Sequence, residues 1–383
     1  MEKHFEITKK DGRIRTGILH TSHGSIETPA FAPTATIGVM KSLLPTEVLE
    51  CNVPMLLANL YHLYLRPGID LIENFGGLHK FMNWENPILT DSGGFQAFSL
   101  SNLVELNNNG IIFRSHIDGT KHLFTPEKVY ENQKRLGADI IMCLDHCVSF
   151  ETSKTKLEMA VDRTSKWAQI TRNLHSSTTQ KLFGIIQGGT SKELRIKSTK
   201  GILDLNFDGH AIGGLAVGEP KKTMYAMLDH IIPDLPEEKP RYLMGVGAPD
   251  NLVEGVARGI DLFDCALPSR VARTGAIFTW EKRINILKKE FKSVDAPLID
   301  NCKCIGCKNF PTAYIHHLFK INDPLGLRLA TIHNLVFIQE LMNKIRESIN
   351  KQNFSEFKKN FLKNYTTPNE KNRLNFIQKK KLF

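Results

Sequence analysis

Residues 181–219 read KLFGIIQGGTSKELRIKSTKGILDLNFDGHAIGGLAVGE. An apolar run, Lys181–Ile186, ends in Gln187-Gly188-Gly189, and a helical stretch, Lys192–Leu203, follows it. A second short run, Gly209–Ile212, then ends in Gly213-Gly214. Short, wholly apolar strands separated by helices belong to parallel sheets covered on both faces, where a strand has no wet side to alternate toward. The same unit repeats outward in both directions. Strands are expected at Ala30–Pro33, Met55–Asn59, Pro87–Thr90, Asp139–Leu144, Tyr242–Val246 and Ile260–Cys265, with helices at Pro45–Glu50, Pro67–Asn74, Pro126–Arg135, Lys154–Leu174, Lys221–Ile232 and Asp250–Arg258. Eight strands alternating with helices predict an α/β chain folded as a (β/α)8 TIM barrel. A doubly wound open sheet is the competing arrangement of the same pattern.

Three stretches break the repeat. Phe5–Thr8 and Arg13–Leu19 flank a Lys10-Asp11-Gly12 turn and predict an N-terminal antiparallel sheet. Residues 103–124 read as a hairpin turning at Asn107-Asn108-Asn109-Gly110. Thr274–Lys308 holds strand-like pieces and three cysteines, and a long helix is expected from Leu327 to Ile349. The expected division is a barrel with N-terminal strands and a hairpin insertion over residues 1–273, a zinc-binding subdomain with the barrel-closing helix over 274–349, and a basic C-terminal tail over 350–383.

Composition narrows the class. With 41% hydrophobic and 23% charged residues in 383, the chain is neither disordered nor fibrous. No run approaches the roughly 18 apolar residues of a membrane span, and the charged start Met1-Glu2-Lys3-His4 precedes no apolar stretch of a signal peptide. A cytoplasmic protein without membrane contact is the expectation. Fifty Lys and Arg against 40 Asp and Glu leave +10. From Lys344 onward eleven basic residues face three acidic ones. Such an end attracts a polyanion through phosphate contacts, or is simply a solvated face.

Seven cysteines, an odd number in a chain without an export signal, point to metal or active-site use over disulfides. Cys302-Lys303-Cys304-Ile305-Gly306-Cys307 gathers three thiols within six residues, and zinc takes four such ligands in a tetrahedron. His333 is the expected fourth ligand, with His316 and His317 as rivals. With no open coordination position in view, one structural zinc per chain is expected.

Chemistry in a parallel barrel gathers at the C-terminal strand ends. There the sequence places Asp91-Ser92-Gly93-Gly94-Phe95-Gln96, Asp145-His146-Cys147, Gln187-Gly188-Gly189, Gly213-Gly214-Leu215-Ala216-Val217-Gly218-Glu219, Met244-Gly245 and Asp264-Cys265. Each alone is an ordinary turn or strand terminus. Six consecutive strand ends together would aim three aspartates, a glutamine and exposed backbone into one mouth, where glycines let a flat ligand approach.

These segments, followed by Cys-x-Cys-x2-Cys and a distant histidine, resemble tRNA-guanine transglycosylase of the bacterial type from about residue 5 to 349. Tyr61-His62-Leu63, Leu65-Arg66-Pro67-Gly68 and Tyr242-Leu243-Met244-Gly245-Val246-Gly247 strengthen the likeness. The resemblance implies a pentosyltransferase of queuosine biosynthesis that exchanges the wobble guanine of GUN tRNAs (Asp, Asn, His, Tyr) for 7-aminomethyl-7-deazaguanine (preQ1). It assigns Asp264 as nucleophile and Asp91 as general acid/base. It gives base binding to Asp145, Cys147, Gln187, Gly214, Leu215, Ala216 and Glu219, with Phe95 and Met244 against the ring faces. Arg270 and Arg273 would contact tRNA carrying a U-G-U anticodon core, the free base being preQ1 or guanine, and a homodimer is implied.

Several positions depart from the family pattern. His146 stands where an acidic residue is usual, Leu60 replaces a usual Thr, and Phe95 keeps the stacking face of a usual Tyr without its hydroxyl. A glycosidase or nucleoside hydrolase would share the two carboxylates but leave the cysteine knot and basic end idle. A non-catalytic tRNA-binding subunit would not need Asp91 and Asp264.

Overall fold

The computed structural model describes residues 4–99, 104–177 and 179–367. At its centre lie eight parallel strands: β1 (Ala30–Pro33), β2 (Leu56–Asn59), β3 (Ile88–Asp91), β4 (Ile140–Met142), β5 (Lys181–Ile186), β6 (Gly209–Ile212), β7 (Arg241–Leu243) and β8 (Leu262–Cys265). They pair in the order β1-β8-β7-β6-β5-β4-β3-β2. The two ends then meet: Thr34 bridges Leu57 in parallel, Ala35 N–H donates to Leu57 O at 2.7 Å, and Asn59 N–H to Thr36 O at 3.1 Å. This leaves a near-closed barrel in place of the open-sheet alternative.

Several boundaries differ from expectation. β4 covers only Ile140–Met142 and β7 stops at Leu243, because the following residues leave the ladder to form mouth loops, one turned by Gly245 at φ 75°. The helix expected from Pro67 begins at Ile69. An unforeseen helix, Leu60–Leu65, precedes it, capped by the Asn59 side chain accepting from His62 N–H at 3.0 Å. The insertion is a three-stranded sheet, Val104–Asn107, Gly110–Arg114 and Lys121–Phe124, with the expected turn inside it. Residues 100–103, at its start, lie outside the described residues.

The N-terminal sheet also has three strands, Phe5–Asp11, Ile14–Thr21 and Gly24–Thr28. It is fastened beneath the barrel by contacts to two buried carboxylates. Arg15 forks onto Asp261, Nε to Oδ1 at 2.9 Å and Nη2 to Oδ2 at 2.6 Å. Asp139, just before β4, receives the ring nitrogens of His23 at 2.8 Å and His79 at 3.1 Å, and the backbone N–H groups of His23 and Ile88. The two imidazoles stack 3.5 Å apart and 12° from parallel. A metal would have to lie in both ring planes, which do not meet there, so this trio is a clip and not a metal site.

After β8 come the short helix Leu267–Ala272, a hairpin of Ala276–Phe278 with Arg283–Asn285, helices Ile305–Asn309 and Thr312–Lys320, and the long helix Pro324–Asn350. The long helix packs on β1, with Gln339 Nε2 donating to Phe31 O at 3.2 Å and Arg346 Nη1 to Pro29 O at 2.7 Å. Within the stretch read as a basic tail, Phe354–Asn364 forms a helix that buries Phe354 and Phe361 and pairs Lys358 with Glu254 at 2.7 Å. Residues 368–383, the rest of that stretch, lie outside the described residues.

Candidate active site and metal centre

The register of neighbouring strands sets the first catalytic candidate. Asn59 ends β2 directly opposite Asp91, which ends β3. Asn59 Nδ2 donates to Asp91 Oδ2 at 2.5 Å, while Oδ1 accepts from the N–H groups of Leu60 (3.2 Å) and Gly93 (3.3 Å). Burial nevertheless pushes the Asp91 carboxyl up to about 7, and the charge of Asp264 adds to the rise. A carboxyl poised near neutrality can give and take a proton.

Asp264 enters the barrel mouth from β8, three strands round from Asp91, where it pairs with Ala32 of β1. It is 9% exposed, and its Oδ1 accepts from the Tyr242 hydroxyl at 2.6 Å and Gly245 N–H at 2.8 Å. Burial raises this carboxyl as well, and the two donors counter the rise by favouring its charged form. Tyr242 feels the charges of both Asp264 and Asp91, so the two carboxyls share one site.

A second cluster lies behind them. Asp145, buried after β4, accepts from Ser92 Oγ at 3.0 Å and from Gln187 Nε2 at 2.7 Å. A Cβ on Gly94 would collide with the Asp145 carboxylate, and one on Gly214 with Gln187 Oε1, so both glycines are required by close approach. Burial raises the Asp145 carboxyl, against the pull of its two donors. Cys147 is buried beside it, its thiol pushed up by burial and by the Asp145 charge. Glu219, 2% exposed, accepts from the N–H groups of Ala216 and of Val217, the latter at 3.0 Å. This holds Ala216 at φ 58°, a left-handed conformation that a residue with a Cβ rarely adopts. Leu215 is buried and Met244 half-buried, whereas Phe95 is 51% exposed at the rim.

His146 departs from the family pattern without adding charge. Its Nδ1 accepts from Arg163 Nη1 at 3.0 Å, and burial with the Arg163 charge pulls its pKa down to about 4. It is neutral at pH 7. Arg270 and Arg273 sit on and just after the helix Leu267–Ala272. Arg270 is exposed, while Arg273 is half-buried with Nη1 on Ser269 O at 3.0 Å.

Sequence reading missed three side chains here. Asn59 stands at a strand end like the aspartates, so the same rule reaches it. Tyr242 lies inside a strand and reads as core. Arg195, fully buried on the helix after β5, gives no local signal at all.

The metal centre forms away from the barrel mouth. Sγ of Cys302, Cys304 and Cys307 lie 3.8, 3.5 and 3.3 Å from Nδ1 of His333. A tetrahedral ion with arms of about 2.3 Å to sulfur and 2.0 Å to nitrogen would set such pairs roughly 3.5 Å apart. His333 Nε2–H donates to Phe278 O at 2.9 Å, which leaves the Nδ1 lone pair for a metal. The four residues thus fit a metal ion, and the cluster includes His333 as expected. His316, whose Nδ1 engages Ile286 O at 2.6 Å, and His317 are not part of the cluster.

The family model described as Queuine tRNA-ribosyltransferase matches residues 11–367. The chain belongs to that family. It is 51% identical over 359 residues to the queuine tRNA-ribosyltransferase of Desulforamulus reducens, covering 94% of this chain and 97% of that one. The protein of the same name from Pelotomaculum thermopropionicum is 51% identical over 363 residues, covering 94% and 98%. That of Dehalococcoides mccartyi is 48% identical over 381 residues, covering 99% and 97%. Membership makes the chain an enzyme, a pentosyltransferase of the tRNA-guanine transglycosylase kind. Among the described residues no helix is long and apolar enough to cross a membrane.

Proposed function

We propose that this chain replaces the wobble guanine of GUN tRNAs (Asp, Asn, His, Tyr) by preQ1 through a covalent enzyme–ribose intermediate. The supporting observation is the pairing of two carboxyls across one mouth. Asp264 is held by Tyr242 and Gly245 in a form suited to attack, and Asp91 sits near its titration midpoint at neutral pH.

The target nucleotide must first leave its stack to reach the mouth. Asp264 then attacks C1′ of the ribose as the bond to guanine N9 breaks, and Asp91 gives its proton to the departing base. PreQ1 takes guanine's place. Asp91 removes its N9 proton, N9 attacks C1′, and the bond to the Asp264 oxygen breaks, returning the carboxylate. Atoms balance without a redox partner, and the double displacement retains configuration as in retaining glycosidases.

Asp145 accepts the adjacent N1–H and exocyclic amine of either base. Gln187 and the Gly214 N–H face the base's carbonyl edge, Met244 and Phe95 cover its faces, and Cys147 leaves room for a small substituent. The Leu215 carbonyl, with Ala216 and Glu219 behind it, receives the aminomethyl group. Arg270 and Arg273 meet the anticodon loop around its U-G-U core. The ion held by Cys302, Cys304, Cys307 and His333 is zinc; it supplies no chemistry to the exchange and braces the 274–349 segment beside the tRNA face. In this reading the enzyme works as a cytoplasmic homodimer.

The reading is tested with Asp264→Asn. Wild type incubated with tRNA should give a denaturation-resistant protein–RNA adduct that the variant lacks. An undiminished adduct in the variant would remove Asp264 from the nucleophile's role. Label from guanine should also become stably fixed in tRNA, since hydrolysis alone fixes none.

A further inference from the structure

The seam between β3 and β4 closes in two stages. Toward β5, β4 stays in register as far as Met142, opposite Phe183. Toward β3 the register ends one residue sooner, with Ile141 opposite Thr90. A side chain supplies the next rung. Gln133, fully buried on the helix Pro126–Leu136, accepts from Met142 N–H at 3.0 Å through Oε1 and donates to Met142 O at 2.8 Å through Nε2. Oε1 also accepts from the Thr90 hydroxyl at 3.0 Å, and Nε2 gives its second hydrogen to Val129 O at 3.3 Å. Both acceptor positions and both hydrogens of the amide are engaged, which fixes its orientation.

The residues that Gln133 joins lie just below the site. Thr90 immediately precedes Asp91, and Met142 stands three residues before Asp145. Asp91 is steadied from the β2 side by Asn59. Toward β4, the bond between Thr90 and Gln133 ties down the residue beneath it. Higher up, Ser92 Oγ reaches Asp145 at 3.0 Å, but it does so from a loop, whereas Gln133 couples two strands. The anchor is itself braced, since the Gln133 carbonyl accepts from Gln180 Nε2 at 3.3 Å, just before β5.

Resting on the functional reading above, we propose that Gln133 is a positioning residue that sets the spacing between Asp91 and Asp145. In that reading Asp145 holds the base by its N1–H and amine, and Asp91 exchanges a proton with the same base. The separation of the two strand ends therefore decides whether a held base meets its proton donor. A misplacement of about 1 Å can cost on the order of 10²-fold in rate. The base itself still finds Asp145 supported by Ser92 and Gln187. Loss of the Gln133 link therefore slows the chemistry and spares affinity for the base.

The test measures two quantities in wild type, Thr90→Val, Thr90→Ser and Gln133→Met. One is the single-turnover rate of adduct formation at saturating tRNA, per adduct-forming site; the other is the KM for guanine in exchange. Thr90→Val removes one bond and keeps the shape, and Gln133 Oε1 retains its bond from Met142. Its rate should fall at least about threefold while the KM for guanine stays within about twofold. Thr90→Ser restores the hydroxyl and should recover most of the rate. Gln133→Met strips Met142 of both partners and should be slower still; should it fail to fold, the two Thr90 variants decide. A smaller fall in Thr90→Val, a KM outside that range, or a Thr90→Ser rate closer to that of Thr90→Val than to wild type would overturn the proposal. So would a folded Gln133→Met faster than Thr90→Val. Wild type that forms no adduct would instead remove the functional reading.

Discussion

Asn59 and Asp91 face each other across adjacent strands, and the amide of the first donates to the carboxylate of the second at 2.5 Å. The same amide caps the helix Leu60–Leu65 through its oxygen, so its orientation is fixed from both sides. The bond favours ionised Asp91 and opposes the rise caused by burial. Removing it in Asn59→Ala should move the Asp91 titration above its present value of about 7. Departure of guanine needs protonated Asp91, so the alkaline limb of single-turnover adduct formation should shift to higher pH. The maximal rate should fall roughly tenfold as the carboxyl loses its alignment. An alkaline limb unmoved in Asn59→Ala would separate Asn59 from the proton transfer.

Tyr242 acts on the other limb. Its hydroxyl and the Gly245 N–H both stabilise ionised Asp264, so Tyr242→Phe takes away one of two donors. The Asp264 carboxyl should then titrate higher, and the acid limb of adduct formation should move upward while the alkaline limb stays. A hydrogen bond to a charged group is worth about 1.5–3 kcal/mol, so the rate below the shifted limb should drop on the order of tenfold or more. Equal pH profiles for Tyr242→Phe and wild type would assign the tyrosine to packing alone.

The barrel was legible because each β/α unit repeats the same local pattern, and the strand-end rule then led to Asp91, Asp145, Gln187 and Asp264. What it could not supply was partnership. Asn59 reaches Asp91 only because β2 and β3 pair in that register. Tyr242 is apolar in aspect and its hydroxyl's target lies one strand away. Arg195 is polar within a helix whose other basic residues are mostly solvated, and only the turn packed over it reveals its burial. The helix Phe354–Asn364 was hidden for a related reason. Its lysines belong to a strongly basic stretch that reads as solvated, whereas the buried Phe354 and Phe361 determine where it docks.

The Phe278 carbonyl orients His333 toward the three thiols, and this gives the metal centre a specific dependence. Purified wild type should contain about one zinc per chain. His333→Ala should retain less than half of that, because a three-thiolate site lacks its nitrogen ligand. A strong chelator should lower the melting temperature of wild type and leave that of the variant, already reduced, almost unchanged. Wild type that folds and melts identically with and without metal would show that the cluster stabilises nothing.

Asp139 holds the clip beneath the barrel, and its stability effect follows from the direction of its shift. Although burial opposes it, the contacts from His79, Ile88 and His23 draw the carboxyl down to about 2, against about 3.9 in an unfolded chain. As pH falls through 4, the unfolded state takes up a proton that the folded state still refuses. Stability present at neutral pH is therefore lost between about pH 4 and 2, to a total on the order of 2 kcal/mol. Asp139→Asn keeps the shape but not the charge, so it should be destabilised at pH 6 and converge on wild type in acid. Denaturant melts at pH 6 and pH 3 measure this; a constant gap between the two proteins at both pH values would show that the ionised carboxylate is not what secures the N-terminal sheet.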